Sequence, residues 1–231
     1  MKPILFNTAM VRAILDGEKT CTRRILKLPK HIEKQRNGLY ILCAEGSTYS
    51  DREFKDVIDY IYPPYKVGDI LYVRETFRWQ LVGEYDFWGD CNWDDEVVEY
   101  KASVNEFLEE YGDYLDREEY ESTRWIPSIH MPKDLARIFL KVTSVRAERL
   151  KDIDEEQAKK EGARKQSWYQ PFGTKIEDEQ KYVGSLVNHK INYKTGFADI
   201  WDRTVKEEKY SWEGNPWVWV IEFERVEKVE K

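Results

Sequence analysis

The chain of 231 residues is poor in the groups that build metal and redox sites, with 3 Cys, 3 His and 3 Met. Cys21, Cys43 and Cys91 are odd in number and have no CxxC spacing, which suits a reducing compartment better than a disulfide framework. His31, His130 and His189 stand far apart with no partner at zinc-ligand spacing, so no metal is expected. Asp94-Asp95-Glu96 lacks the glycine and closing Glu of a calcium loop, and no GxGxxG, Walker A or GxSxG string follows a strand pattern. Nucleoside triphosphates and serine-hydrolase chemistry lose their main support, and no cofactor is expected. Long apolar runs are missing too: nothing approaches the roughly 18 residues of a membrane helix. Met1 to Met10 has no apolar stretch behind a basic start. The expectation is a cytoplasmic protein without a membrane partner.

What is present is aromatic and charged. Apolar residues make up 41% and aromatics 14%, enough for a real core despite 35% charge. The net charge of −7 argues against nucleic acid as a partner, but it is unevenly placed. Residues 84–121 hold 15 Asp and Glu against 2 Lys and Arg, so the remainder is net positive. Residues 1–37 hold 9 basic against 3 acidic residues, a landing place for an anionic ligand or simply a solvated face.

Along the chain, Ile4-Leu5-Phe6 reads as a strand. Asn7 or Thr8 then caps a helix through Met10, Val11, Ile14 and Leu15, which Gly17 ends. Lys19 to Leu28 reads as a second strand. Residues 29–64 read as a loop-rich insertion with little regular structure, ending at Pro63-Pro64. Ile70 to Val73 follows the Val67-Gly68-Asp69 turn as a strand. Residues 78–135 read as an acidic insertion with one helix over 104–111. Ala136 to Leu150 is a long strand, and Asp154-Glu-Glu-Gln157 is a capping box opening a short helix that ends at Glu161-Gly162. Residues 163–194 form a third insertion, Thr195 opens a helix to Val205, and Pro216 to Val226 is the last strand. One domain over residues 1–231, α+β in class, is the economical organisation.

The string Gly17-Glu-Lys19-Thr-Cys-Thr22-Arg23-Arg24 places a lysine at the foot of a strand that leaves a glycine turn. With the preceding helix, Tyr72-Val-Arg-Glu-Thr-Phe77 and Asn215-Pro-Trp-Val-Trp-Val220, it resembles the ASCH family of the PUA-like superfamily, in the version found in bacteriophages and prophages. The resemblance covers about half the chain. It implies a small, curved β-barrel with flanking helices, here carrying long insertions, whose cleft holds RNA or a nucleobase. The superfamily includes amidohydrolases that remove the acetyl group from N4-acetylcytidine. By that resemblance Lys19, Thr22 and Glu161 are the candidate catalytic residues, although Arg23 stands where the family pattern has an apolar residue.

The chemistry is coherent. A threonine hydroxyl needs a neighbouring neutral amine to attack an amide, and a carboxyl group can then carry a proton to the leaving cytosine amine. The structural alternative is an ion pair of Lys19 and Glu161 with Thr22 as a strand former. Arg23, Arg24 and Arg74 are candidates for phosphate or base-edge contacts, and Trp79 and Trp212 for base stacking; core and surface roles are the alternatives. Three other functions stay open: a non-catalytic RNA-binding module, a ribonuclease, and a phage interaction protein whose acidic segment 84–121 docks a basic protein.

Overall fold

The computed structural model describes residues 1–28, 32–34, 40–44, 47–48, 61–85, 91–115, 117–164 and 192–228. Among these residues, ten strands and five α-helices confirm the α+β class: β1 (Lys2–Leu5), α1 (Thr8–Leu15), β2 (Cys21–Ile25), β3 (Ile32–Lys34), β4 (Tyr40–Ala44), β5 (Ser47–Thr48), β6 (Ile70–Arg74), β7 (Phe77–Tyr85), β8 (Cys91–Tyr100), α2 (Val104–Tyr111), α3 (Arg117–Ser122), β9 (Phe139–Arg149), α4 (Glu155–Lys160), α5 (Tyr193–Thr204) and β10 (Trp217–Val226). The main sheet runs β1-β6-β9-β10-β2, and no pairing among the described residues closes it into a barrel. The chain packs as two compact units: Met1–Thr20, Gly68–Lys141 and Phe223–Lys231 make the first, Cys21–Val67 and Val142–Glu222 the second.

In the first unit β1 runs parallel to β6, which is the reason a helix intervenes at once: parallel neighbours need a crossover. The Asn7 side chain accepts from the Met10 amide at 2.9 Å and so caps α1, and Gly17 takes φ +73° beyond its end, as a C′ glycine does. Ile4, Val11, Ile14, Leu71 and Val73 are all buried. Two residues separate β6 from β7, which pairs with β8 in a long antiparallel hairpin bulged at Val82/Gly83. Segment 78–135 is therefore not only an insertion with one helix; that helix, α2, does span Val104–Tyr111 as its pattern indicates. Phe77, Met131, Ala136 and Phe139 form a core here.

The second unit pairs β10 with β2 antiparallel, Val220 opposite Arg23 and Ile221 opposite Thr22. Val218, Val220 and Cys21 pack with Leu150, Ile153, Ala158, Phe197 and Trp201, which seats α4 and α5 on that face. The capping box of α4 forms as the sequence indicates, Gln157 N–H to Asp154 at 2.7 Å, and Gly162 ends it at φ +79°. Helix α5 starts at Tyr193 rather than Thr195, because Asn192 takes the cap and accepts from the Thr195 amide at 2.7 Å. Within segment 29–64, strands β3, β4 and β5 form a small antiparallel sheet where a loop is expected; runs of two to five residues are too short to show a period. Most of the third insertion, 165–191, lies outside the described residues.

Candidate functional site

Lys19 belongs to the first unit and Thr22 and Glu161 to the second. All three side chains are removed from water: Lys19 is 2% exposed, Thr22 3% and Glu161 7%. Lys19 follows the α1 turn, where its amide donates to the Ala13 carbonyl at 2.9 Å and its Nζ stands 5.8 Å from the centre of the Phe6 ring. A lysine among the most deeply buried large side chains of a protein is uncommon, since its stem packs easily but its ammonium loses hydration.

The best-defined polar cluster surrounds Arg23 in the second unit. Strand alternation turns Cys21, Arg23 and Ile25 toward α4 and α5, and Thr22 and Arg24 toward the opposite face. Arg23 Nη1 donates to Glu161 Oε1 at 3.1 Å, and Nη2 donates to Gln157 Oε1 at 2.8 Å and to Glu148. The Cys21 thiol lies 3.9 Å from the same Glu161 oxygen. Among the described residues Arg23 Nε has no hydrogen-bond partner. The pairing continues outward: Arg146 Nε donates to Glu148 Oε2 at 3.3 Å and Arg146 Nη1 to Glu222 Oε1 at 2.7 Å. Arg24, directly opposite Trp219, is half-buried; burial pulls its guanidinium down from the ordinary value, against the attraction of Tyr65 and Glu161.

The remaining candidates are dispersed. Arg74 gives its Nε to the Met131 carbonyl at 2.9 Å and its Nη2 to the Ile129 carbonyl, so it anchors a loop of the first unit. Trp79 is 37% exposed on β7. Trp212 packs half-buried against Phe197, ring centres 6.3 Å apart, with Lys194 Nζ 5.9 Å from its centre. Arg23 has no solvent-facing donor to offer a phosphate, its side chain being 0% exposed.

Sequence reasoning missed Glu148, Gln157 and Arg146 as members of the Arg23 cluster. Gln157 carried a signal, but one fully used by the capping box; its Oε1 accepts from Asp154 N at 3.3 Å as well as from Arg23. A second polar cluster in the first unit was missed too. Arg78 lies between the rings of Tyr120 and Trp125, at 4.1 and 4.3 Å, and donates to Glu99 at 2.6 Å. Glu99 also accepts from Gln80 and from the Tyr120 hydroxyl. Among the described residues no group of His, Cys, Asp and Glu is arranged to hold a metal ion, and no helix is long and apolar enough to cross a membrane.

No protein-family model, curated protein or solved structure matches the chain.

Proposed function

We propose that the protein binds RNA or a modified nucleoside and hydrolyses the N4-acyl amide of an acylated cytidine, using Lys19, Thr22 and Glu161. The observation that supports the reading is that an amine and a hydroxyl group of the sequence motif and the carboxyl group implied by the family resemblance are each held out of water, at a cost in stability that polar side chains at ordinary surface positions do not incur. On this reading the Thr22 oxygen adds to the acyl carbonyl carbon and gives up its proton to the Lys19 amine. The bond from that carbon to N4 then breaks, N4 takes a proton carried by Glu161, and water releases the acid from Thr22. A PUA-like ASCH barrel, a cytoplasmic setting and a phage or prophage origin belong to the same proposal.

One observation favours a second reading, a non-catalytic binder of RNA or a nucleobase. Glu161 is engaged by Arg23 and Cys21, whose side chains alternation turns away from Thr22.

Incubation with N4-acetylcytidine, followed by chromatography of released cytidine, separates the two. Turnover by the wild-type protein that Lys19→Ala reduces about a thousandfold, with an unchanged circular dichroism spectrum, supports hydrolysis. Absence of turnover, with salt-sensitive retention of labelled RNA, replaces it with the binding module.

A further inference from the structure

The cluster around Arg23 joins five side chains of alternating sign, Glu222, Arg146, Glu148, Arg23 and Glu161, from half-exposed positions on β10 and β9 to the buried end of α4. Arg23 occupies an inward position of β2 whose neighbours on that face, Cys21 and Ile25, sit in apolar packing. The strand pattern calls for an apolar residue there, and burying a guanidinium with two carboxylates gives little net stability over a well-packed hydrophobic group. Its geometry gives it another use. One planar fork reaches the capping residue Gln157 at the first turn of α4 and the carboxylate Glu161 just past the last turn, so it spans the six-residue helix and fixes both ends to the sheet.

We propose that Arg23 is a positioning residue, which sets the place and orientation of the Glu161 carboxylate through α4. The inference rests on the reading in which Glu161 takes part in amide hydrolysis. A helix this short has marginal stability of its own, so the carboxylate at its end is only as well placed as the contacts that dock it. A misplacement of about 1 Å at a reacting group can cost on the order of a hundredfold in rate.

The test has two arms on the full chain. In the first, amide hydrogen exchange compares the wild type with Arg23→Met and Arg23→Lys. Arg23→Met speeds exchange at the Ala158, Glu161 and Gly162 amides about tenfold or more while leaving Val218 to Ile221 of β10 protected. Arg23→Lys, a point charge without the fork, falls between. Unchanged protection of the α4 end in Arg23→Met overturns the proposal. If Arg23→Met does not fold, Arg23→Lys and Glu148→Gln, which weakens the next rung, carry the same comparison. In the second arm, hydrolysis of N4-acetylcytidine by Arg23→Met shows kcat down about a hundredfold with KM within about twofold. In a Glu161→Gln background the Arg23 substitution has no further effect on the residual rate; additive losses overturn action through Glu161. A wild-type protein that turns nothing over refutes the catalytic reading, and the exchange arm then decides the positioning of Glu161 by itself.

Discussion

At the scale of single residues, both units bury an arginine and pair it with carboxylates, Arg78 in the first and Arg23 in the second. Glu99 is 0% exposed and accepts from Arg78 at 2.6 Å, Gln80 at 3.2 Å and the Tyr120 hydroxyl at 2.9 Å. Tyr120 is the member whose titration tests the cluster. Burial raises its phenol above the ordinary value of 10.0, and its hydrogen bond to Glu99 adds to the rise while Arg78 opposes it. A group raised in the folded state contributes stability that is complete below its unfolded value and disappears as pH climbs through the folded one. Tyr120→Phe should therefore lower the unfolding free energy by about 1.5 kcal/mol at neutral pH, the worth of a hydrogen bond to a charged acceptor. Urea titrations should show that difference shrinking above pH 10.0, where the wild type loses the contribution and the variant has none to lose. A difference that stays constant into the alkaline range would refute the role given to the phenol.

At the scale of elements, the legible ones are those whose apolar pattern and end signals agree. Asn7 and Gly17 frame α1, Asp154, Gln157 and Gly162 frame α4, and Trp217 to Ile221 form an unbroken apolar run in β10. The hairpin β7–β8 was not legible because its inner face carries Arg78, Gln80 and Glu99, all buried, so the period of two is present but written in polar residues. The same holds for the site. Lys19 and Thr22 are candidates through a motif and Glu161 through the helix register of the family resemblance, whereas Glu148 and Arg146 lie within a strand that reads as nothing but a strand. Close approach of elements leaves a clearer mark at Gly196, in the first turns of α5. A Cβ built there would overlap the Arg164 carbonyl oxygen, a backbone atom with little room to move. In an exposed helix Gly→Ala adds about 1 kcal/mol of stability. At this position Gly196→Ala should instead cost about 2 kcal/mol or more, since overpacking a rigid contact outweighs propensity. A rise in the thermal midpoint of this variant would show that α5 is free to shift.

At the scale of the whole molecule, charge decides between partners, and removing the acidic segment is the wrong way to ask. Glu99 and Phe107 are buried within it, so its deletion would empty the first unit of packing along with charge. Helix α2 offers a gentler lever, because Glu106, Glu109 and Glu110 are all exposed on it. Changing the three together to Gln removes three negative charges without touching a buried group, and changes at such surface positions are worth little to stability. An RNA ligand and a basic protein respond to this with opposite sign. Retention of labelled RNA at about 50 mM salt should strengthen on the order of threefold, because the repulsion of like charge weakens, and the gain should vanish as the Debye length contracts at higher salt. A polycationic partner held by the acidic segment should instead be released more readily by the same variant. Polylysine capture that the variant leaves unchanged excludes that segment as a basic-protein dock. Weaker polylysine capture with RNA unmoved excludes the nucleic-acid reading, because a ligand approaching a net charge of −7 must feel the removal of three of its charges.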